Sequence, residues 1–264
     1  YYTNKNNLST LEKLDKNLYF DFMDEKIGDR LKFSNIMITG ATGFLGIHIL
    51  YDLLKNTNTN IYCLIRDKNG IDGKTRLINK IKFYFDKDQN ELINYIDKRI
   101  FIVKGDIGQI NLGIDYNIYK DLGYKIDALI HSAAIVNHYG KKEIFNLVNV
   151  DGTKNVIAFC KEFHVKLNHI STISISADFI ADKINEETFY ENSLYIGQPY
   201  SENIYIKTKF ESEYLIWKEK NTDLNFAIYR MGNISARSFD GKFQENDYQN
   251  AFLNRMISFC KLGA

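Results

Sequence analysis

Apolar and polar positions alternate along this chain in blocks of two lengths, and the blocks predict its elements. Short apolar runs of strand length fall at residues 35–39, 61–65, 100–104, 127–131, 167–172 and 226–230. Between them, apolar residues recur at helical spacing. After the first run, Leu45, Ile49 and Leu53 share one stripe, with Leu50 and Leu54 beside it. Further helices are predicted over 71–85, 141–162 and 204–220, and a long loop precedes the last of them. Strands alternating with helices imply an α/β protein whose parallel sheet is covered on both faces. Right-handed crossovers make such a sheet doubly wound, with its ligand crevice at the carboxyl ends of the strands.

Composition narrows the picture. With 264 residues, 45% of them hydrophobic and 25% charged, the chain can bury a substantial core. Its net charge of +1 argues neither for nor against a nucleic-acid partner, no like-charge block resembles a basic arm, and no such partner is expected. No apolar run approaches the roughly 20 residues of a membrane span, so no membrane partner is expected either. Cys63, Cys160 and Cys260 are scattered, with no Cys-x-x-Cys, which suits a reducing cytoplasm and gives no metal site. The histidines His48, His131, His138, His164 and His169 form no ligand cluster and are expected to pack or hydrogen-bond. The chain opens at Tyr1 with its first methionine at Met23, as a segment of something longer would. It closes in what reads as the middle of a helix, with Phe252, Met256 and Phe259 on one side and no polar cap after Leu262.

The stretch Thr39-Gly40-Ala41-Thr42-Gly43-Phe44-Leu45-Gly46 lies between the first strand and the first helix. Strand, glycine turn and helix together form the context in which backbone N–H groups can cradle a pyrophosphate. Gly40 can make the tight turn, Gly43 lets phosphate approach, and Gly46 lets the helix lie close on the sheet.

The other strand ends carry further chemistry. The second ends in Arg66-Asp67: a guanidinium there pairs with the 2′-phosphate of NADP, whereas a carboxylate takes the 2′-hydroxyl of NAD. Arg66 comes first and favours NADP, with Arg76 and Lys74 near enough to add charge. Asp106 and Ile107 end the third strand, at the adenine edge. His131-Ser132-Ala133-Ala134 ends the fourth with small residues along which a cofactor can lie. The fifth ends in Ser171-Thr172, and the next helix opens with Tyr205-x-x-x-Lys209. Residues four apart share a helix face, so the Lys209 ammonium is expected to lower the Tyr205 phenol's pKa and make it a general acid. Thr172 or Ser171 would complete an oxyanion clamp. The spacing alone selects nothing, since Tyr1–Lys5, Tyr51–Lys55, Tyr116–Lys120 and Tyr214–Lys218 share it. Position selects Tyr205. Glu211 and Glu213, on the same helix, are expected to be surface charges.

These residues resemble the extended short-chain dehydrogenase/reductase superfamily. Within it they look most like the thioester reductase domains that end nonribosomal peptide synthetases, and the related carboxylic acid reductases. The resemblance covers about residues 36–264 and rests on TGATGFLG at 39–46, LIR at 64–66, GDI at 105–107 and HSAAIVNH at 131–138. It continues through NVDGT at 149–153, HIST at 169–172, YIKTK at 205–209 and RMGNI at 230–234. It implies a Rossmann-type, extended fold with residues 1–34 as lead-in, 35–235 as the NADP-binding domain and 236–264 as the start of a substrate subdomain that is otherwise missing. A helix is also predicted around residues 8–18 of the lead-in.

The resemblance further implies Thr172, Tyr205 and Lys209 as the catalytic residues. It places NADPH along Thr39, Gly40, Thr42, Gly43, Phe44, Leu45, Gly46, Arg66 and Arg76. The same path continues past Asp106, Ile107, Ser132, Ala133, Ala134, Asn149, Tyr205, Lys209, Gly232 and Asn233. Met231 stands where relatives usually have proline. The implied reaction is reductive release of a peptidyl thioester as an aldehyde, or on to an alcohol. The implied partner is an upstream carrier domain in cis, bearing the peptide on phosphopantetheine. A nucleotide-sugar epimerase or dehydratase would use the same catalytic residues, and a non-catalytic NADP-binding regulator would not need them. Extended relatives close a substrate region over the crevice, so residues 1–264 are expected to bind NADPH but to reduce thioesters poorly.

Overall fold

Ile36, Met37 and Ile38 are buried in succession, so the strand they form has no solvent face. The structure, a computed structural model, describes residues 18–19, 32–137, 140–180 and 188–263. Its strands are β1 (Leu18–Tyr19), β2 (Asn35–Thr39), β3 (Asn60–Ile65), β4 (Ile100–Lys104), β5 (Ala128–His131), β6 (Lys166–Thr172), β7 (Ser193–Tyr195) and β8 (Phe226–Met231). Its helices are α1 (Phe44–Asn56), α2 (Gly73–Tyr84), α3 (Gln89–Asn94), α4 (Tyr116–Gly123), α5 (Lys142–Phe145), α6 (Gly152–Glu162), α7 (Ile204–Trp217) and α8 (Ala251–Leu262).

Six strands form one parallel sheet in the order β4-β3-β2-β5-β6-β8, the doubly wound order with β2 and β5 at its centre. Successive side chains of a strand point to opposite faces, and β2 shows the consequence. Met37 packs with Leu129, Leu167, Val156 and Phe159 on one side. Ile36 and Ile38 pack with Ile47, Leu50, Leu77 and Ile81 on the other. Helices α4 and α6 therefore cover one face, and α1 and α2 the other.

Several expectations change. On α1 the deeply buried positions are Gly46, Ile47, Leu50 and Leu54, while Leu45, Ile49 and Leu53 are half-buried. The cause is Gly46, where a Cβ would stand 2.2 Å from the Gly40 carbonyl oxygen. That close approach turns the Gly46 side of the helix inward. The predicted helix over 141–162 is continuous, but its middle, Asn146–Asp151, is a π turn between α5 and α6. The helix predicted around 8–18 lies outside the described residues except for Leu18, which is in a strand. β1 pairs antiparallel with β7, Leu18 opposite Tyr195, so the lead-in contributes to a small second sheet. The long loop before α7 holds β7 and a 3₁₀ segment, Ile173–Ile180.

The last helix does not break off. Gly263 adopts φ +73° and its N–H returns to the last turn, the left-handed end that glycine favours. Met256 and Phe259 on α8 are exposed. Among the described residues, no helix is long and apolar enough to cross a membrane, and no group of His, Cys, Asp and Glu is placed to hold a metal ion. Cys63 and Cys160 are buried free thiols, and Cys260 is an exposed one.

Candidate active site

The carboxyl ends of the parallel strands bring the singled-out residues to one edge of the sheet. Thr39 ends β2 opposite His131 of β5, and Thr172 ends β6 opposite Met231 of β8. At the turn, Gly40 has φ +78°, and a Cβ there would lie 2.7 Å from the Ala133 nitrogen. No other residue fits that backbone and that contact. The Gly43 N–H donates to the Gly40 carbonyl at 2.8 Å. Gly43 caps α1 with no side-chain acceptor for the first-turn N–H groups, the arrangement that suits a phosphate group.

The end expected to hold adenine is a cavity of about 610 Å³ whose lining includes Arg66, Asp67, Lys68, Lys104, Asp106 and Gln109. Arg66 is half-exposed and pairs with Asp106 at 3.4 Å. Asp67, the competing carboxylate, is occupied: it pairs with Lys104 at 2.7 Å and accepts from the Gly73 N–H at 3.1 Å. These bonds hold its carboxyl below the usual range. Arg76 donates to the Arg66 carbonyl and, at 3.3 Å, to Thr42 Oγ1, fastening the glycine turn to the end of β3. Lys74 turns away to Asp97. Ile107 is buried against Gly152, and its carbonyl accepts from Asn155. Phe44 stands edge-on to Phe243, with ring centres 5.2 Å apart.

At the other end, Asn203 caps α7 by accepting from the N–H groups of Tyr205 and Ile206, which fixes where the helix begins. Thr172 Oγ1 accepts from the Ser174 N–H at 3.1 Å, leaving its own O–H to donate to the Tyr205 hydroxyl, with which it is hydrogen-bonded. Burial raises the Tyr205 pKa, and the Thr172 bond partly offsets this. The expectation that Lys209 lowers it is not met. Lys209 is buried and donates to the Ile170 carbonyl at 2.6 Å, and it lies 3.4 Å from His169 Nε2. Burial pushes its pKa down to about 8, against the opposing pull of Glu213. In the other described Tyr-x-x-x-Lys pairs, Lys55, Lys120 and Lys218 lie over their own tyrosine rings at 5.8, 4.8 and 5.9 Å. Gly232 and Asn233 follow β8 and are exposed. Met231 continues the β6–β8 ladder opposite Thr172, where a proline could not donate.

Behind these groups runs a buried relay. The Ala133 N–H donates to Thr39 Oγ1 at 3.2 Å, and Thr39 Oγ1 lies 2.8 Å from His131 Nδ1. His131 Nε2 lies 3.2 Å from Thr153 Oγ1, which donates to the Asn149 carbonyl at 2.6 Å. The chain closes if Nε2 of His131 carries the proton, and burial keeps this imidazole neutral, its pKa pushed down to about 3. Burial holds His169 well below the ordinary range too. His48, His131 and His169 thus bond and pack as expected; His138 lies outside the described residues. The π turn aims Asn149 so that it accepts from the Ile135 N–H at 2.8 Å and donates to the Ile135 carbonyl at 3.0 Å and to Thr208 Oγ1 at 2.9 Å. Asn149 therefore ties the Ser132–Ile135 strand end to the Tyr205 helix.

Glu211 and Glu213 are not surface charges: they are 4% and 0% exposed. The helix is covered on that side too. Glu213 is gripped by Arg230, Nη2 to Oε2 at 2.8 Å and Nε to Oε1 at 3.2 Å, while Glu211 has Lys207 at 3.8 Å and burial raises its pKa. Gln198 was also missed. It is buried, donating to the carbonyls of Leu194 and Ile175 and accepting from the Ile196 N–H, which joins the long loop to the segment after Thr172. The period of α7 could have found Glu213, which stands one turn beyond Lys209 on the same face.

Comparison with known proteins agrees with this geometry. The profile of an NAD-binding family described as "Male sterility protein" matches residues 38–262. A linear gramicidin synthase of Brevibacillus parabrevis is 30% identical over 224 residues, which are 83% of this chain and 4% of that protein. Among solved structures, a thiolation-reductase di-domain from an archaeal non-ribosomal peptide synthetase shares 36% identity at a TM-score of 0.78, over 90% of this chain and 49% of that one. The Aureusimine biosynthetic cluster reductase domain shares 29% at 0.70, over 86% and 56%. The chain thus spans about half the length of these solved relatives and a small part of the synthetase. The chain belongs to the male sterility protein family, NAD(P)-binding oxidoreductase domains on the extended short-chain dehydrogenase/reductase fold.

Proposed function

We propose that this chain reduces a carrier-bound acyl or peptidyl thioester with NADPH, releasing it as an aldehyde. The observation that carries the reading is the Thr172–Tyr205 hydroxyl pair beside the buried Lys209, at the strand edge that begins with the glycine turn. The residues present fit a dinucleotide. Gly40 and Gly46 leave no room for a Cβ, and α1 has no side-chain cap of its own. Thr39, Gly40, Thr42, Gly43, Phe44, Leu45 and Gly46 would hold the pyrophosphate, and Ser132 to Ala134 with Asn149 would line the path. Lys209, Gly232 and Asn233 would meet the nicotinamide half. Arg66 and Arg76 favour the 2′-phosphate, because Asp67 is engaged by Lys104 and the Gly73 N–H. Asp106 and Ile107 would border the adenine.

When bound, NADPH supplies a hydride to the thioester carbonyl carbon. Tyr205 gives its proton to the oxygen of that carbonyl as negative charge develops there. Its raised pKa keeps the phenol protonated until that moment. Thr172 donates to Tyr205 Oη and stabilises the phenolate left behind. Lys209 would hold the ribose. The resulting hemithioacetal loses the phosphopantetheine thiol and leaves the aldehyde. We assign residues 35–235 to the cofactor domain and 236–264 to the start of the substrate-binding subdomain. The partner is a carrier domain in the same polypeptide, as in the archaeal thiolation-reductase di-domain, and the compartment is the cytoplasm.

The test is to incubate the protein with NADPH and an acyl-loaded carrier domain, follow NADPH absorbance, and identify products by mass spectrometry. An aldehyde formed with NADPH consumption is expected. Conversion of a sugar nucleotide instead, with the thioester untouched, would overturn the reading.

A further inference from the structure

Lys209 carries its charge in an unusual place. The side chain is 4% exposed, and the groups it meets by hydrogen bond, the Ile170 carbonyl and His169 Nε2, bear no negative charge. Burying an ammonium without a counter-charge is costly enough that the group ordinarily releases its proton. Tyr205, Lys209 and Glu213 stand at successive four-residue steps on α7, so they share one face. Glu213 is fully buried. Both its oxygens are taken by Arg230 from β8, so it acts on Lys209 as a charge.

Arg230 is held in turn. Its guanidinium donates to the carbonyls of Glu191 at 2.9 Å and Ser193 at 2.7 Å, and it stands 5.2 Å from the Phe189 ring. Replacing a buried ion pair by apolar residues of the same volume often leaves stability unchanged or raises it. Fastening α7 to β8 therefore does not by itself account for it. We propose that Glu213 is a positioning residue for Lys209, supplying the fixed negative charge that keeps the ammonium in its buried seat, with Arg230 holding that carboxylate in place. The inference deepens the function proposed above and rests on the roles given there to Tyr205 and Lys209.

The charged and titratable groups facing Lys209 are His169 from β6, His131 from β5, Tyr205 and Glu213 from its own helix and, through Glu213, Arg230 from β8. Both imidazoles stay neutral through the range of interest, which leaves Glu213 as the negative charge to remove.

The experiment is an NMR titration of the full chain with lysines labelled with carbon-13 at Cε, Lys209 being assigned by its absence in Lys209→Arg. Glu213→Gln should lower the Lys209 midpoint by about one pH unit, the low end of the effect of losing a nearby opposite charge. The alkaline limb of turnover should move the same way. Arg230→Lys keeps the charge and should leave the midpoint near that of the parent. Should Glu213→Gln not fold, the double variant Glu213→Gln/Arg230→Met removes both charges and should show a smaller shift in the same downward direction, because loss of the Arg230 cation offsets part of it. An unchanged or raised midpoint overturns the proposal, whatever the stability of the variant. The shift does not depend on thioester reduction, so a lowered midpoint in a protein that reduces no thioester would uphold the positioning role while the proposed reaction failed.

Discussion

Lys209 donates to the Ile170 carbonyl at 2.6 Å, joining the Tyr205 helix to the strand that ends in Thr172. The bond fixes the spacing between Thr172 and Tyr205, the hydroxyls proposed to meet the reacting carbonyl. It also explains why this tyrosine–lysine pair differs from the others in the chain. Its lysine turns inward to the backbone, while the described others lie over their own rings.

Tyr205→Phe removes one hydroxyl from a group that need not anchor the dinucleotide. Turnover should fall by about 10²–10⁴-fold, the usual worth of a positioned general acid, with NADPH affinity nearly unchanged. Fluorescence titration beside steady-state rates separates the two. Thr172→Ala should be milder, because it removes a donor to the phenol and leaves the phenolic proton itself in place.

The pH profile should fall on its alkaline side around pH 8. Lys209, pushed down to about 8, is charged below that pH and neutral above it. Tyr205, whose pKa is raised, keeps its proton through the same range. His131, at about 3, contributes no acid limb above pH 5. Lys209→Arg, which does not titrate here, should remove the alkaline limb even where its rate is low. A limb that persists would assign it to another group.

Arg66→Ala should weaken NADPH binding about tenfold or more, since a charge-assisted pair to the 2′-phosphate is lost. NADH binding should barely change. Equal losses for both cofactors would make Arg66 a structural residue that holds Asp106.

Asn149→Ala strips partners from both the N–H and the carbonyl of Ile135. Unfolding free energy should drop by about 2–3 kcal/mol, measured by urea denaturation. Turnover should fall with it, because Ala133–Ile135 and Thr208 lose their common tie.

Much of the fold was legible because parallel strands buried on both faces announce themselves as apolar runs. Residues 35–39 and 100–104 were read with the bounds the structure gives. The glycine turn was legible because Gly40 satisfies a backbone rule, a positive φ against the Ala133 backbone, that no other residue meets. What was missed depends on contacts distant in sequence. Nothing local marks the π turn at Asn149, since its extra residue is compensated by bonds to Ile135 and Thr208. Glu213 was read as a surface charge because a carboxylate four residues from a lysine usually is one, and its burial depends on Arg230, 17 residues further on. The Tyr205 pKa was misjudged in direction because spacing gives proximity to Lys209 but says nothing about desolvation.

Hydride transfer to a thioester carbonyl leaves an isotopic signature in the product. The protein is supplied with an acyl-loaded carrier domain and NADPH carrying deuterium at both hydrogens of nicotinamide C4, and the released product is analysed by mass spectrometry. The expected product is an aldehyde carrying deuterium on its carbonyl carbon, formed in step with NADP⁺ and lost in Tyr205→Phe. Release of the free acid without NADPH consumption, or an aldehyde without the label, would contradict it.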